Sequence, residues 1–274
     1  MSKQQQWTGE RLETFIQNES TIEHLHRYAL AMELAAGKTV LDIACGEGYG
    51  TALLSGKADH VTGMDIDKPT IDKAIARYKK DNIRFEIAAT EKIPSPDHSY
   101  DLVVSFETLE HVDDQDAMLK EIKRVLKPGG ILLLSTPEKK NYSDKTGYQN
   151  PFHKKELYRA ELEALLRSCF SYQQICTQQI MHASFISGAR HDGFDQYSGS
   201  YDAIQKNAPA EALYIVALVS DNVLPPLPAS IFSGNSIVEK ALLQREKMVT
   251  GTITYRLGHV LLYPFKLIRR LLKK

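Results

Sequence analysis

Short apolar runs alternate with amphipathic stretches along the first half of the chain. Residues 20–36 have helical spacing, with Ser20 or Thr21 as the expected cap and Gly37 as the stop. Residues 40–44 form a short apolar strand that runs straight into Gly46-Glu47-Gly48-Tyr49-Gly50, where a helix opens. Further strands are expected at 60–64, closing on Asp65, at 83–88, 100–105 and 131–135. Helical patterns fill 70–79 and 115–126; the second stops at Lys127-Pro128-Gly129-Gly130, where proline and glycine oppose continuation. Strands and helices alternating at these distances predict a doubly wound, mainly parallel α/β sheet covered by helices on both faces.

The second half is less regular. A charged amphipathic helix is expected over 153–169, and strands over 171–180 and 212–220, which bring the sheet to seven. Between them, residues 181–210 are rich in Gly, Ser, Tyr and Asp and predict a long excursion from the sheet. Residues 222–228 carry three prolines, and 236–274 are helical with a basic end. The resulting plan is an N-terminal helical lid (1–36), a central domain (37–221) with an insertion (181–210), a linker (222–235) and a basic helical tail (236–274).

Composition narrows the possibilities. Lys plus Arg equals Asp plus Glu, so the net charge is zero, which argues against nucleic acid as a partner. The longest apolar run, 212–219, is too short to cross a bilayer, and the residues after Met1 have no apolar core like that of a secretory signal. Cys45, Cys169 and Cys176 form no CxxC pair and suit reduced cytosolic thiols. These features predict a cytoplasmic location. No metal cluster is expected: His24 and His26 are two apart on a helix and point to different faces.

Gly46 and Gly48 allow a sharp turn and a close approach of backbone to ligand, and Asp65 can take both hydroxyls of a ribose. A nicotinamide fingerprint shares these features. Here, however, Thr51 stands at the sixth position, and Asp42 lies just before the turn, where a carboxylate repels a pyrophosphate and suits a cationic ligand.

Val40-Leu41-Asp42-Ile43-Ala44-Cys45-Gly46-Glu47-Gly48 resembles motif I of class I S-adenosylmethionine-dependent methyltransferases. Val61-Thr62-Gly63-Met64-Asp65, then residues 99–112, then Arg124-Val125-Leu126-Lys127-Pro128-Gly129-Gly130 agree in order and spacing. The resemblance implies a Rossmann-like methyltransferase fold and S-adenosyl-L-methionine as cofactor. It places Asp42, Ala44, Gly46 and Gly48 at the methionine end, Asp65 on the ribose, Ile66 and the backbone near Thr90 on the adenine, and Phe106 and Glu107 beside the sulfur. Ala44 and Ala89 depart from the family pattern, which favours glycine and a polar residue there.

The segments Thr8-Gly9-Glu10-Arg11 and Glu23-His24-Leu25-His26-Arg27-Tyr28 resemble those preceding motif I in bacterial methyltransferases associated with surface-polysaccharide and glycan assembly. Arg27 is a candidate for the methionine carboxylate. Transfer to a hydroxyl is helped by a base, and His111 and His153 are the candidates; a packing or capping role suits either equally well. Tyr142, Tyr148, Tyr197 and Tyr201 could stack on a sugar or simply anchor loops. The expected activity is O-methylation of a sugar hydroxyl on a glycan or lipid-linked saccharide. Alternatives are a small aromatic or quinone acceptor, a non-catalytic cofactor-binding scaffold at the membrane, and a nicotinamide dehydrogenase.

On a helical wheel of the tail, Leu257, Leu261, Phe265, Ile268 and Leu272 share one face, and Arg256, Lys266, Arg269, Arg270, Lys273 and Lys274 share the other. No acid interrupts residues 251–274. This pattern suits a C-terminal amphipathic helix on an anionic membrane surface, peripheral at its inner face, or one packed on protein. Pro264 is expected to kink it or start a second helix.

Overall fold

The computed structural model describes residues 11–181, 196–200, 203–207 and 212–271. Its centre is a seven-stranded sheet of β1 (Thr39–Ile43), β2 (His60–Asp65), β3 (Ile83–Ile87), β4 (Tyr100–Phe106), β5 (Leu126–Pro137), β6 (Tyr172–Gln178) and β9 (Tyr214–Ser220). The spatial order is β3-β2-β1-β4-β5-β9-β6; the first five strands run parallel, and β9 pairs antiparallel with both β5 and β6. A separate hairpin of β7 (Gln196–Gly199) and β8 (Ile204–Asn207) lies within the expected excursion; Tyr201 falls outside the described residues.

Period-two alternation sends successive strand residues to opposite faces. Leu41, Val103, Leu132, Leu134, Ile215 and Ala217 join one core cluster. There they meet α4 (Gln115–Val125) and α5 (Arg159–Cys169) through Met118, Leu119, Ile122, Leu162 and Leu166. Val40, Leu102, Val104, Leu133 and Val216 join the other, with α1 (Glu19–Ala35) and α2 (Tyr49–Leu54) supplying Tyr28, Ala31, Ala35 and Leu54. The remaining helix of the parallel half, α3 (Lys68–Arg77), buries Thr70, Ile71 and Ala74. Both faces are therefore covered, and strand order reverses between β1 and β4. In such sheets ligands bind beyond the carboxyl ends of the strands at that switch point.

Several boundaries differ from expectation. The cap of α1 is Asn18, whose side chain accepts from Thr21 N–H while the Thr21 hydroxyl faces Asn18 N–H. The helix expected from residue 153 begins at Arg159, so His153 sits in the preceding loop. In the tail, α6 (Asn235–Gly251) gives way to α7 (Ile253–Leu271) at Thr252, and Pro264 lies inside α7. The proline-rich linker is pinned to the domain: Leu227 exchanges hydrogen bonds with Gln174, and His26 Nε2 meets Ser230 Oγ at 2.8 Å.

Candidate active site

Three left-handed residues shape the turn after β1: Ala44 (φ 56°), Gly46 (φ 55°) and Gly48 (φ 78°). A Cβ at Gly48 would meet the Phe85 ring at 2.7 Å, whereas one at Gly46 would meet nothing within 4 Å. Gly46 thus faces open space. Its N–H donates to Asp65 Oδ2 at 3.0 Å. Asp65 ends β2 only 4% exposed. Its Oδ1 accepts from Asp67 N–H (2.9 Å) and pairs with Arg11 Nη2 (3.2 Å). Ile66 beside it is 69% exposed, an apolar surface at the end of the strand. Thr90 lies in the turn closed by the Ala89–Lys92 bridge, and the neighbouring Ala88 N–H donates to the Asp65 carbonyl.

Two residues expected to line the cofactor, Asp42 and Phe106, are buried under the turn and α1. Asp42 is fully buried, because residues 40 and 42 share the face covered by α1 and α2. Tyr28 donates to its Oδ1 (3.1 Å) and Thr51 to its Oδ2 (2.6 Å), so the carboxylate supports the turn from below. Burial pushes its carboxyl up to about 7, against the lowering effect of those two hydrogen bonds. Phe106 is also buried, packed edge-on against Tyr28 with ring centroids 5.0 Å apart.

Glu107 follows β4 in the left-handed region (φ 49°). Its Oε1 accepts from Ser135 Oγ at 2.6 Å and lies 2.8 Å from Arg27 Nη1, an ion pair short of hydrogen-bond alignment. Arg27 comes from α1 and is 1% exposed. Its Nε donates to Gln178 Oε1 (2.6 Å), and its guanidinium carbon stands 4.5 Å over the Tyr214 ring. Nη2 has no hydrogen-bond partner among the described residues. A buried guanidinium donor left open in this way matches a carboxylate, and the adjacent Glu107 matches an amino group. The arrangement fits the amino-acid end of S-adenosylmethionine, with Asp65 and Ile66 at the nucleoside end.

Beyond Glu107 the chain makes a single 3-10 turn, Leu109–His111. The His111 and His153 rings meet edge to face, centroids 4.9 Å apart. His153 also stacks on Tyr142 (5.5 Å), which in turn contacts Tyr148 and Tyr214. The structure therefore brings both candidate histidines into one aromatic cluster adjoining the Arg27–Glu107 pair through Tyr214. His153 is held by Glu156 rather than by a helix terminus: Nδ1 lies 2.6 Å from Glu156 Oε1, and Nε2 lies 3.0 Å from Asn150 Nδ2. Sequence reading missed Gln178, Tyr214 and Glu110. The first two reach the site only through sheet pairing; Glu110 was signalled by its place three residues after Glu107 and beside His111.

A family model described as a methyltransferase domain matches residues 41–134. A protein of Mycolicibacterium smegmatis, described as a probable S-adenosylmethionine-dependent methyltransferase, is 37% identical over 191 residues, covering 68% of this chain and 73% of that one. A similarly described Mycobacterium tuberculosis protein is 35% identical, with 58% of each chain covered. Among solved structures, a Thermotoga maritima S-adenosylmethionine-dependent methyltransferase shares the fold at a TM-score of 0.53 and 19% identity, covering 73% of this chain and 89% of that one. With the relative from M. smegmatis matched over most of its length, the chain belongs to the S-adenosylmethionine-dependent methyltransferases.

Proposed function

We propose that the chain O-methylates a sugar hydroxyl of a glycan or lipid-linked saccharide. The observation that carries this reading is the pair of imidazoles, His111 and His153, set among Tyr142, Tyr148 and Tyr214 next to the Arg27–Glu107 pair. Aromatic faces suit the C–H surface of a sugar, and imidazoles suit the loss of a hydroxyl proton. When bound, S-adenosylmethionine supplies a methyl already activated on a sulfonium. The protein's task is then alignment of the acceptor and exclusion of water. Arg27 takes the carboxylate, Glu107 the amino group, and Asp65 the ribose, exchanging Arg11 for ribose hydroxyls. Residues 11–14 act as a strap over this end, because Arg11 reaches Asp65 and Asp67 while Thr14 is tied to Glu47. The acceptor oxygen would take that methyl, and the electrons of the carbon–sulfur bond would return to sulfur. The hydroxyl proton leaves with the help of the histidine pair.

Labelled S-adenosylmethionine offered with saccharide, phenol and quinol acceptors tests the assignment. Label is expected in the saccharide. His111→Ala and His153→Ala should lower that rate about 100-fold, with affinity for S-adenosylhomocysteine unchanged. Label in the phenol or quinol alone would favour a small aromatic acceptor, and transfer to none would favour a scaffold.

We also propose that residues 251–274 hold the protein on an anionic membrane surface, peripheral at its inner face. This is supported by exposed apolar side chains on α7, among them Leu257 and Leu261, the latter 70% exposed, on the stripe opposite the basic residues. Among the described residues no helix is long and apolar enough to cross a membrane.

A further inference from the structure

The histidine pair has a third member. One ligand atom each from Glu110, His111 and His153 lies within 4.8 Å of the other two. The Glu110 side chain is 1% exposed. Its Oε2 accepts from Thr136 Oγ1 at 2.9 Å, but Oε1 is buried with no hydrogen-bond partner among the described residues. That oxygen is 3.9 Å from His111 Nε2. A buried carboxylate oxygen left open is costly unless something positive or protic meets it.

Each imidazole is already braced from behind. His111 Nδ1 is 3.0 Å from the Phe152 carbonyl, and a carbonyl only accepts, so this nitrogen is the donor; in a neutral imidazole the lone pair is then on Nε2. His153 Nδ1 faces Glu156 Oε1. The Asn150 side-chain oxygen accepts from Phe152 N–H, which turns its amide nitrogen toward His153 Nε2 and makes that nitrogen an acceptor as well. A carbonyl or carboxylate behind each ring is the arrangement that fixes the tautomer of metal-binding histidines.

We propose that Glu110, His111 and His153 form a binding site for a divalent first-row cation of the manganese or zinc class. Two imidazole nitrogens and one carboxylate oxygen are the donor set such ions accept, and three ligands leave positions for a further oxygen. Bond lengths of about 2.0–2.2 Å require the three donors to close in by roughly an ångström, His153 leaving Asn150. Glu107 adds a nearby negative charge and Arg27 an opposing positive one, both felt at Glu110. This inference deepens the proposed function and rests on it for its chemical role. A cation here would lower the pKa of a hydroxyl brought to it, releasing its proton to solvent, so the histidines assist as ligands rather than as free bases.

Full-length protein stripped with chelator, desalted and titrated with manganese or zinc chloride tests the site by calorimetry, and for manganese by electron paramagnetic resonance. Wild type should bind about one equivalent per chain, the count set by a single three-ligand site. Glu110→Gln, His111→Ala and His153→Ala should each weaken binding by at least about tenfold, and Glu156→Gln, behind His153, by about tenfold. Unchanged S-adenosylhomocysteine binding reports that each variant is folded. No saturable cation binding by a wild type that still binds S-adenosylhomocysteine, or binding unaltered in all three ligand variants, overturns the proposal. If the histidine variants lose turnover while the wild type binds no cation, the methyl-transfer reading stands and this one falls. If the cation binds but no saccharide is methylated, the reverse holds.

Discussion

Folding raises the affinity of the Asp42 carboxyl for its proton. Burial pushes its carboxyl up to about 7, with Thr51 and Tyr28 hydrogen bonds opposing the shift. In the unfolded chain the same group ionises near its usual value of about 4. Between these values the unfolded chain has released the proton and the native one has not. This contribution to stability is therefore full below about pH 4 and is lost as pH rises through about 7, on the order of a few kcal/mol. Glu23, raised to about 7 chiefly by burial, adds a change of the same sign. Asp42→Asn removes the Asp42 share. The melting temperature of the variant relative to wild type should rise between pH 5 and pH 8, and an equal gap at both would refute the shift. At this scale the sequence was legible where one position determines one place in the fold. Asp65 closes a strand beside the glycine turn and could be placed from that alone. The face on which Asp42 lies follows from strand period, but its burial under Tyr28 and Thr51 depends on how α1 and α2 cover the sheet.

Among elements, the β1–α2 turn depends most on a few backbone angles. Gly48 caps α2 with φ 78°, and a Cβ there would press on the Phe85 ring of β3 at 2.7 Å. Gly48→Ala should cost about 2 kcal/mol from the left-handed backbone, with more if the ring cannot yield. Chemical denaturation would measure this, and a loss below about 0.5 kcal/mol, within the usual range for surface substitutions, would mean that the turn relaxes freely. The parallel strands were legible because each is a compact apolar run bounded by turn residues. The hairpin of β7 and β8 was not, because Gln196-Tyr197-Ser198-Gly199 and Ile204-Gln205-Lys206-Asn207 lack an apolar period. The helical pattern of α5 reaches back to residue 153 because residues 153–158 share its charge pattern. The helix waits for Tyr158, where Glu161 reaches back to the Tyr158 N–H. The loop left outside it is what carries His153 to His111.

At the scale of the whole molecule, the topology was legible and the surroundings of Arg27 and Glu107 were not. Arg27, Glu107, Gln178 and Tyr214 meet only after α1 packs on the sheet and β9 inserts between β5 and β6. The tail is a separate matter, since its proposed role depends on a surface rather than a site. Where the linker meets α6 the chain is fixed on the domain: Ile237 is buried, and a Cβ at Gly234 would strike Ile22. Farther along, Leu242, Leu243, Met248 and Val249 of α6 and Leu257, Val260, Leu261 and Leu262 of α7 are exposed. Each Lys or Arg near an anionic surface contributes about 1 kcal/mol, and burial of the apolar stripe adds to it. The zero net charge of the chain does not cancel this attraction, because screening confines it to about 8–10 Å. Wild type should therefore sediment with phosphatidylglycerol-containing vesicles at low salt and less at high salt. A chain ending at Thr250 should remain in the supernatant and still bind S-adenosylhomocysteine. Equal sedimentation of the two chains would remove α7 as the anchor and leave its apolar stripe to pack on protein.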